Sequence, residues 1–533
     1  MFMGKKEPLS GRDNAWRRMG TTENLMTITG ILMFEEAIGY DEFCDRLEER
    51  LLRFDRFKQR VNGRKRRFRR PYWQTVEEFD IRNHVYQVSL PEPATEETFE
   101  EFVGRLMSRP LDERRPLWEA FVVDNAGNEG GNAVAVRINH SVGDGFALLY
   151  VMLGLVDNPE DIEFPIGGIS VPPRPDIEED ETAENKPEEE PNELEKLVGS
   201  EPDEESDDKS TTDEPSQKRD EDGVEKMREE ATPSGPLSMF AQGLKTTWKL
   251  LTDRNEPNTS LYTGNLGQTK TAAWTDQMDL DKVKTVCEQH DATVNDVLLA
   301  ATGGAIRRVL EERGEDTEDL ELRFTIPVNL KQMEDRNGKL GNHFGLVFAP
   351  IPVGTQDLND RIETIHERMD VQKAGVEAFI MYHLLNIGGY MPESVQNLVM
   401  KIFEKHATGI ATNVPGPVDA VEFGGKKVSD LIFWVPQAND QGIGISIISY
   451  NGHVRVGVTG DAKLLPDPHV LTDAFHEEIS ALEEQATQHE HEQLSQAETT
   501  VERTPTESVE HAETEVQPNE NGESEGSGEE NES

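Results

Sequence analysis

Cysteine is almost absent from this 533-residue chain, which has only Cys44 and Cys287. That excludes a disulfide framework and a multi-cysteine zinc site. Aromatic residues reach only 7% and hydrophobic residues 35%, so long stretches are expected not to fold. Positive charge is scarce as well. Lys and Arg number 54 against 104 Asp and Glu, a formal net charge of −50, which argues against nucleic acid as a partner. The longest apolar run, Phe146–Val156, has eleven residues, where a bilayer span takes about 20. The opening MFMGKKEPLSGRDNAWRRMG lacks the apolar stretch of a secretory signal. Neither a G-x-G-x-x-G nor a P-loop pattern occurs. On these grounds the chain reads as soluble and cytoplasmic.

What is present is acid, unevenly placed. Residues 171–230 carry a net charge of −17 and residues 485–533 a net of −13, and both read as disordered acidic segments. The remaining 424 residues still carry −20. A diffusely acidic fold is what a halophilic protein working in molar salt would have. One stretch runs the other way: Arg53–Arg70 holds ten Lys/Arg and a single Asp. It reads either as an anion site, for a nucleotide phosphate or anionic lipid head groups, or as a solvated basic turn.

Two patterned regions flank the acidic insert. In the first, MTITGILMFEE reads as a strand, and YDEFCDRLEERLLRF and TEETFEEFVGRLMSRP as helices, the latter stopped by Pro110. EAFVVD and AVAVRINH form a β-hairpin across a Gly/Asn loop, and the apolar FALLYVMLGLV follows as a helix. The second region opens with a helix-like SMFAQGLKTTWKLLTDR and a strand, TAAWTDQMDLD. Helices follow in LDKVKTVCEQHD and TVNDVLLAATGGAIRRVLEERG, and strands in RFTIPVNL and HFGLVFAPIPV. IGISIISY and HVRVGVTGD flank Asn451-Gly452, a type I′ hairpin signal, and PDPHVLTDAFHEEISALEEQ closes as a helix. Strands and helices mix without regular βαβ alternation, so the fold class is α+β.

The sharpest local feature is Asn139-His140-Ser141-Val142-Gly143-Asp144-Gly145. Val134, Val136, Ile138 and His140 share one strand parity, so the imidazole emerges at the end of an apolar face. Gly143 and Gly145 allow close approach of backbone and substrate. A histidine held beside a Gly-rich turn suits general base work, because its ordinary pKa lies near neutrality. The bland alternative is a satisfied core histidine. Asp144 orients the turn or pairs with an arginine. Weaker constellations are Cys287 with His290 on one helix, His489 and His491 in the acidic tail, and His343 as a rival base. No metal site is expected.

Beginning thirty residues before His140, the chain reads Pro110-Leu111-Asp112-Glu113-Arg114-Arg115-Pro116-Leu117-Trp118-Glu119. Together with H-x-x-x-D-G this resembles the wax ester synthase/diacylglycerol acyltransferase family. Further matches keep that family's order: Asn295-Asp296-Val297, Gly341-Asn342 after a strand, and Asn413-Val414-Pro415-Gly416-Pro417. Two departures stand out, Asn139 where the family has the first histidine of a pair and Thr412 where it has serine.

The resemblance implies two chloramphenicol-acetyltransferase-like α/β sandwich halves forming a pseudo-dimer around a tunnel. The halves would be residues 1–160 and 236–484, with a disordered insert at 161–235 and a disordered tail at 485–533. It implies an O-acyltransferase that moves a fatty acyl group from acyl-CoA, a co-substrate rather than a bound cofactor, to a long-chain alcohol or diacylglycerol. His140 would be the base, Asp144 a loop holder, and Asn295 an oxyanion donor at a helix N-terminus, unless Thr293-x-x-Asp296 is an ordinary capping box. Trp118 is either core or acyl-channel lining, Gly416 a rigid turn or a tunnel wall, and Arg115 a buried ion-pair partner of Asp144 or Asp112. Two other readings stay open: an amine or carrier-bound hydroxyl as acceptor, and a non-catalytic lipid-binding relative. Peripheral contact with a membrane or lipid droplet is also left open.

Overall fold

The computed structural model describes residues 6–63, 71–126, 131–159, 162, 257–262, 265–330, 340–373, 377–392, 396, 407–438 and 440–502. The acidic insert, the helix read at 238–254, the basic residues 64–70 and the end of the tail lie outside them.

β-branched and aromatic runs set the strands. Thr27–Phe34 pairs antiparallel with Ala133–Asn139, Thr27 opposite Asn139 and Met33 opposite Ala133. The other edge of Ala133–Asn139 carries Trp118–Asp124, the hairpin expected across the Gly/Asn loop, and Val85–Ser89 runs parallel beyond it. The far edge of this six-stranded sheet comes from late in the chain. Lys426–Trp434 pairs antiparallel with Thr27–Phe34, and Glu422–Phe423 pairs with Lys426–Trp434. One sheet therefore draws on both patterned regions.

A second sheet runs in the order Phe344–Ile351, Leu322–Asn329, Gly409–Pro415, Ile443–Tyr450, His453–Asp461, Lys270–Trp274, with Met278–Asp279 also on His453–Asp461. Its central pairings, Leu322–Asn329 with Gly409–Pro415 and Gly409–Pro415 with Ile443–Tyr450, are parallel and the rest antiparallel. Asn451 and Gly452 make the expected hairpin turn, with φ of 48° and 75° and Tyr450 opposite His453. The first sheet is buried on both faces. Val134, Ile138, Trp118 and Leu148 pack on one side, and Ala133, Ala135, Phe99 and Trp434 on the other.

Helix ends follow local chemistry. Thr95 caps Glu96–Met107 by accepting from the Thr98 N–H at 3.2 Å. The final helix, His469–Glu502, extends past residue 484, so the first part of the stretch read as an unfolded tail is helical. Its Gln, Glu, Ala and Leu residues are good helix formers, and that local preference offset the acidic composition.

Glu96–Met107 also joins the two sheets. The Glu100 carboxylate accepts from the Trp274 N–H at 3.2 Å and lies 2.8 Å from His469 Nε2. Burial pushes the Glu100 carboxyl up to about 7, against the opposing pull of His469. A carboxyl raised in the folded state contributes stability below its unfolded pKa of about 4.5, and that contribution is lost as pH rises through about 7. Glu100→Gln keeps an acceptor for Trp274 but does not ionise. The variant is expected to lose less melting temperature than the parent between pH 5 and pH 8. Parallel melting curves across that range would show that Glu100 does not set the pH response.

Candidate active site

The hairpin strand ends at Asn139, and the chain turns at once. The His140 N–H donates to the Met26 carbonyl at 2.8 Å, and the Val142 N–H to the Asn139 carbonyl at 2.9 Å. Asn139 Oδ1 accepts from the Ser141 N–H at 3.0 Å and the Ser141 hydroxyl at 2.6 Å, so the residue in the place of a first histidine pins the turn. Asp144 then caps the Gly145–Leu153 helix, its Oδ1 accepting from the Ala147 N–H at 2.8 Å. Its Oδ2 accepts from the His343 N–H at 2.8 Å, and its own N–H donates to the Gly341 carbonyl at 3.2 Å. The loop-holding role expected of Asp144 is what these bonds support, and they reach across to the start of the Phe344–Ile351 strand.

His140 is buried, only 5% exposed. Its ring stacks on Trp16, with centroids 4.6 Å apart and planes 16° apart, and tilts against Phe344 at 5.4 Å. Nδ1 lies 2.8 Å from Asn342 Oδ1. The Asn342 amide nitrogen donates to the His140 carbonyl and to Asp13 Oδ1, each at 2.9 Å, and the Asn342 N–H reaches the same Asp13 oxygen at 3.3 Å. Burial holds the imidazole below the usual histidine range, opposed by the charge of Asp144, a backbone contact, Asn342 and Asp13. Burial thus favours the neutral ring, which keeps a lone pair for a proton. A Cβ at Gly143 would come within 3.2 Å of the Ala147 Cβ, whereas one at Gly145 would meet nothing within 4 Å among the described residues.

The residues that surround His140 were only partly visible in the sequence. Asn342 stood out as half of a short motif, but Asp13 and Trp16 did not. Both lie on the Gly11–Met19 helix, which the sequence reading left without an element. A signal was available: Ser10-x-x-Asp13 is a cap pattern, and Ser10 Oγ accepts from the Asp13 N–H at 3.0 Å. The helix has too few apolar residues to show a periodic stripe.

The other expected residues have the following surroundings. Asn295 is half-buried in the first turn of the Val294–Glu312 helix, behind a true capping box. There the Asp296 N–H donates to Thr293 Oγ1 at 3.3 Å, and Asp296 Oδ2 accepts from the Thr293 N–H at 3.0 Å. Asp296 Oδ2 also lies 2.9 Å from His366 Nδ1. Trp118 is a core residue, 1% exposed, stacked on His84 at 4.8 Å and donating to the Phe57 carbonyl at 2.9 Å. Pro116 and Leu117 anchor the same strand, since the Trp118 N–H donates to Pro116 and the Asn139 N–H to Leu117, both at 2.9 Å.

Arg115 is not buried. Its side chain is 48% exposed, lies 3.8 Å from Asp112 and donates to the Asn83 carbonyl at 2.9 Å. The short span to Asp112, three residues away, places that pair at the surface. Gly416 ends the Gly409–Pro415 strand, donating to the Ser449 carbonyl at 2.9 Å, and a Cβ there would strike that carbonyl. Asn413, in the same strand, is half-buried opposite Ile447. Cys287 is buried, which pushes its thiol up to about 11, so it stays protonated at neutral pH.

Among the described residues, no group of three or more His, Cys, Asp or Glu is placed to hold a metal ion. No helix among them is long and apolar enough to cross a membrane.

Comparison with known proteins gives consistent results. Residues 9–298 match the family described as the wax ester synthase/diacylglycerol acyltransferase catalytic domain, and residues 340–483 its C-terminal domain. A "probable diacylglycerol O-acyltransferase" of Mycobacterium tuberculosis is 24% identical over 452 residues, covering 84% of this chain and 88% of that protein. A second such protein from that organism is 24% identical over 485 residues, covering 89% and 98%. The wax ester synthase/diacylglycerol acyltransferase from Marinobacter aquaeolei VT8 has a similar fold, with a TM-score of 0.59, 19% identity, and 90% and 100% of the two chains covered. The first condensation domain of the calcium-dependent antibiotic synthetase aligns with a TM-score of 0.54 at 14% identity, over 91% of this chain and 97% of that one.

Proposed function

We infer, from a chain that belongs to the wax ester synthase/diacylglycerol acyltransferase family, that this protein is an O-acyltransferase using acyl-CoA and a long-chain alcohol or diacylglycerol. The observation that carries the mechanism is the buried His140, with Nδ1 against Asn342. Its Nε2 takes the proton of the acceptor hydroxyl as the oxygen attacks the thioester carbonyl carbon. The tetrahedral oxyanion collapses, the C–S bond breaks, and the proton on Nε2 passes to the departing CoA sulfur. Ester and free thiol result, with no acyl-enzyme. Asp144 holds the loop that presents His140, through the helix cap and the His343 N–H. Asn295 is assigned to the oxyanion, on the ground that a helix N-terminus favours negative charge. The lack of near neighbours at Gly145 among the described residues gives substrate room beside the turn.

The test is thiol release from acyl-CoA in high salt, with hexadecanol and with a diacylglycerol, and the product identified by mass spectrometry. An ester product is expected. An amide formed from an added amine in preference to either ester would move the acceptor class. Because burial depresses the His140 pKa, the acid limb of kcat/KM against pH is expected below the ordinary histidine value of about 6.5. An acid limb above that value would contradict the buried neutral base.

A further inference from the structure

The Asn342 amide could in principle face His140 with either its oxygen or its nitrogen, and the two choices give the imidazole opposite tautomers. Its surroundings decide between them. The amide nitrogen sits 2.9 Å from the His140 carbonyl, which can only accept, and 2.9 Å from Asp13 Oδ1, which also accepts the Asn342 main-chain N–H. A flipped amide would set its oxygen against both and leave them without the donor they now share. Asp13 is itself fixed, because it also accepts the Asn342 main-chain N–H at 3.3 Å and its own N–H is tied to Ser10. Asp13, His140 and Asn342 are all buried.

We propose that Asn342, oriented by Asp13, is a positioning residue that holds the proton on His140 Nδ1 and so keeps the lone pair on Nε2. The assignment rests on His140 being the base. It extends that reading by naming what selects the working nitrogen: an amide wedged between a carboxylate from the Gly11–Met19 helix and the histidine's own carbonyl. The chain Asp13–Asn342–His140 replaces the single carboxylate that orients histidine in other hydrolases and transferases, and it does so without placing a full negative charge on the ring. The charged groups felt by the imidazole are Asp144 and Asp13, and Asp13 reaches it through Asn342. Trp16 stacks on one face of the ring and Phe344 tilts against it, so rotation about the side chain is also restricted.

Three measurements test it. The first is 15N NMR of the unmutated full chain labelled at histidine, with the His140 signal assigned by its loss in His140→Ala. A protonated Nδ1 and an unprotonated Nε2 are expected, and the opposite tautomer, or an even mixture, overturns the proposal. The second is Asn342→Leu, of similar volume, in the thiol-release assay. It is expected to lower kcat at least 10-fold, with KM for both substrates unchanged and less lost than in His140→Ala. The third is the exchanged pair Asp13→Asn with Asn342→Asp, which puts a carboxylate on Nδ1. Its acid limb is expected to rise by about 1 pH unit or more, as an adjacent opposite charge requires.

A folded Asn342→Leu protein with parental kcat, or an exchanged pair with an unmoved acid limb, overturns the positioning role while His140 remains the base. An active His140→Ala protein overturns both. Where a variant fails to fold, the tautomer of the unmutated protein decides.

Discussion

Replacing His140 with Ala is expected to lower kcat for acyl transfer by about 10²- to 10⁴-fold, the range for loss of a general base, with little change in KM for acyl-CoA. The expectation follows from the weakness of the rival groups that the sequence offered. Cys287 remains a thiol near neutral pH. His343, the rival base, is tied through its main-chain N–H to Asp144, and its Nδ1 lies 3.5 Å from the Tyr382 hydroxyl. Truncation also has a structural cost. It removes a ring stacked on Trp16 and strands the Asn342 oxygen, and a buried unsatisfied acceptor costs about 1–3 kcal/mol. Melting temperature must therefore be measured beside activity, and His140→Gln serves as a second variant that fills more of the site. Thiol release within about threefold of the parent, in either folded variant, would remove His140 from the chemistry.

Much of this site was legible because the chain concentrates its signals in turns. The strand parity of Val134, Val136 and Ile138 placed His140 at a strand end, and the apolar run after the Gly-rich turn marked the helix that follows. The Asn451-Gly452 hairpin followed from two residues that tolerate positive φ. Residues 485–502 were misjudged for the opposite reason: composition was weighed above helix preference. What sequence periodicity could not reveal was partnership across the chain. Asp13, Asn342 and His140 are separated by hundreds of residues, and no local pattern links a polar helix at the N-terminus to a strand beyond residue 340. Asn295 drew attention because its motif is conspicuous, yet the asparagine bonded to the imidazole is Asn342. The pairing of Lys426–Trp434 with Thr27–Phe34 was hidden in the same way, since either strand alone satisfies its alternation without naming its neighbour.

Gly389→Ala is expected to disable the enzyme from outside the site, by displacing the helix that supplies Asp13 and Trp16. Gly389 lies near the end of the Glu377–Tyr390 helix, where a Cβ would overlap the Gly11 carbonyl. The crowding is mutual, because a Cβ on Gly11 would strike the Asn386 carbonyl. Two backbones therefore meet with no side chain between them. The contact is reinforced by Asn14, which donates to the Gly389 carbonyl at 2.6 Å, and by Arg18, which donates to the Met391 carbonyl at 2.9 Å.

In a helix, alanine is ordinarily favoured over glycine by about 0.5–1 kcal/mol. Here the clash is with backbone that cannot rotate away, and overpacking costs about 1–3 kcal/mol, so the net effect is destabilising. Activity should suffer more than stability. Relief of the overlap must shift Gly11–Met19, and with it both the Asp13 bond to Asn342 and the Trp16 stack on His140. Misplacing a catalytic group by about 1 Å can cost about 100-fold in rate. The neighbouring Gly388 supplies the control, since a Cβ there meets nothing within 4 Å among the described residues. Gly388→Ala should keep parental kcat and match or exceed the parental melting temperature. Gly389→Ala should lose 10-fold or more in kcat while still melting cooperatively. Equal behaviour of the two variants would mean that the helix crossing does not transmit to His140.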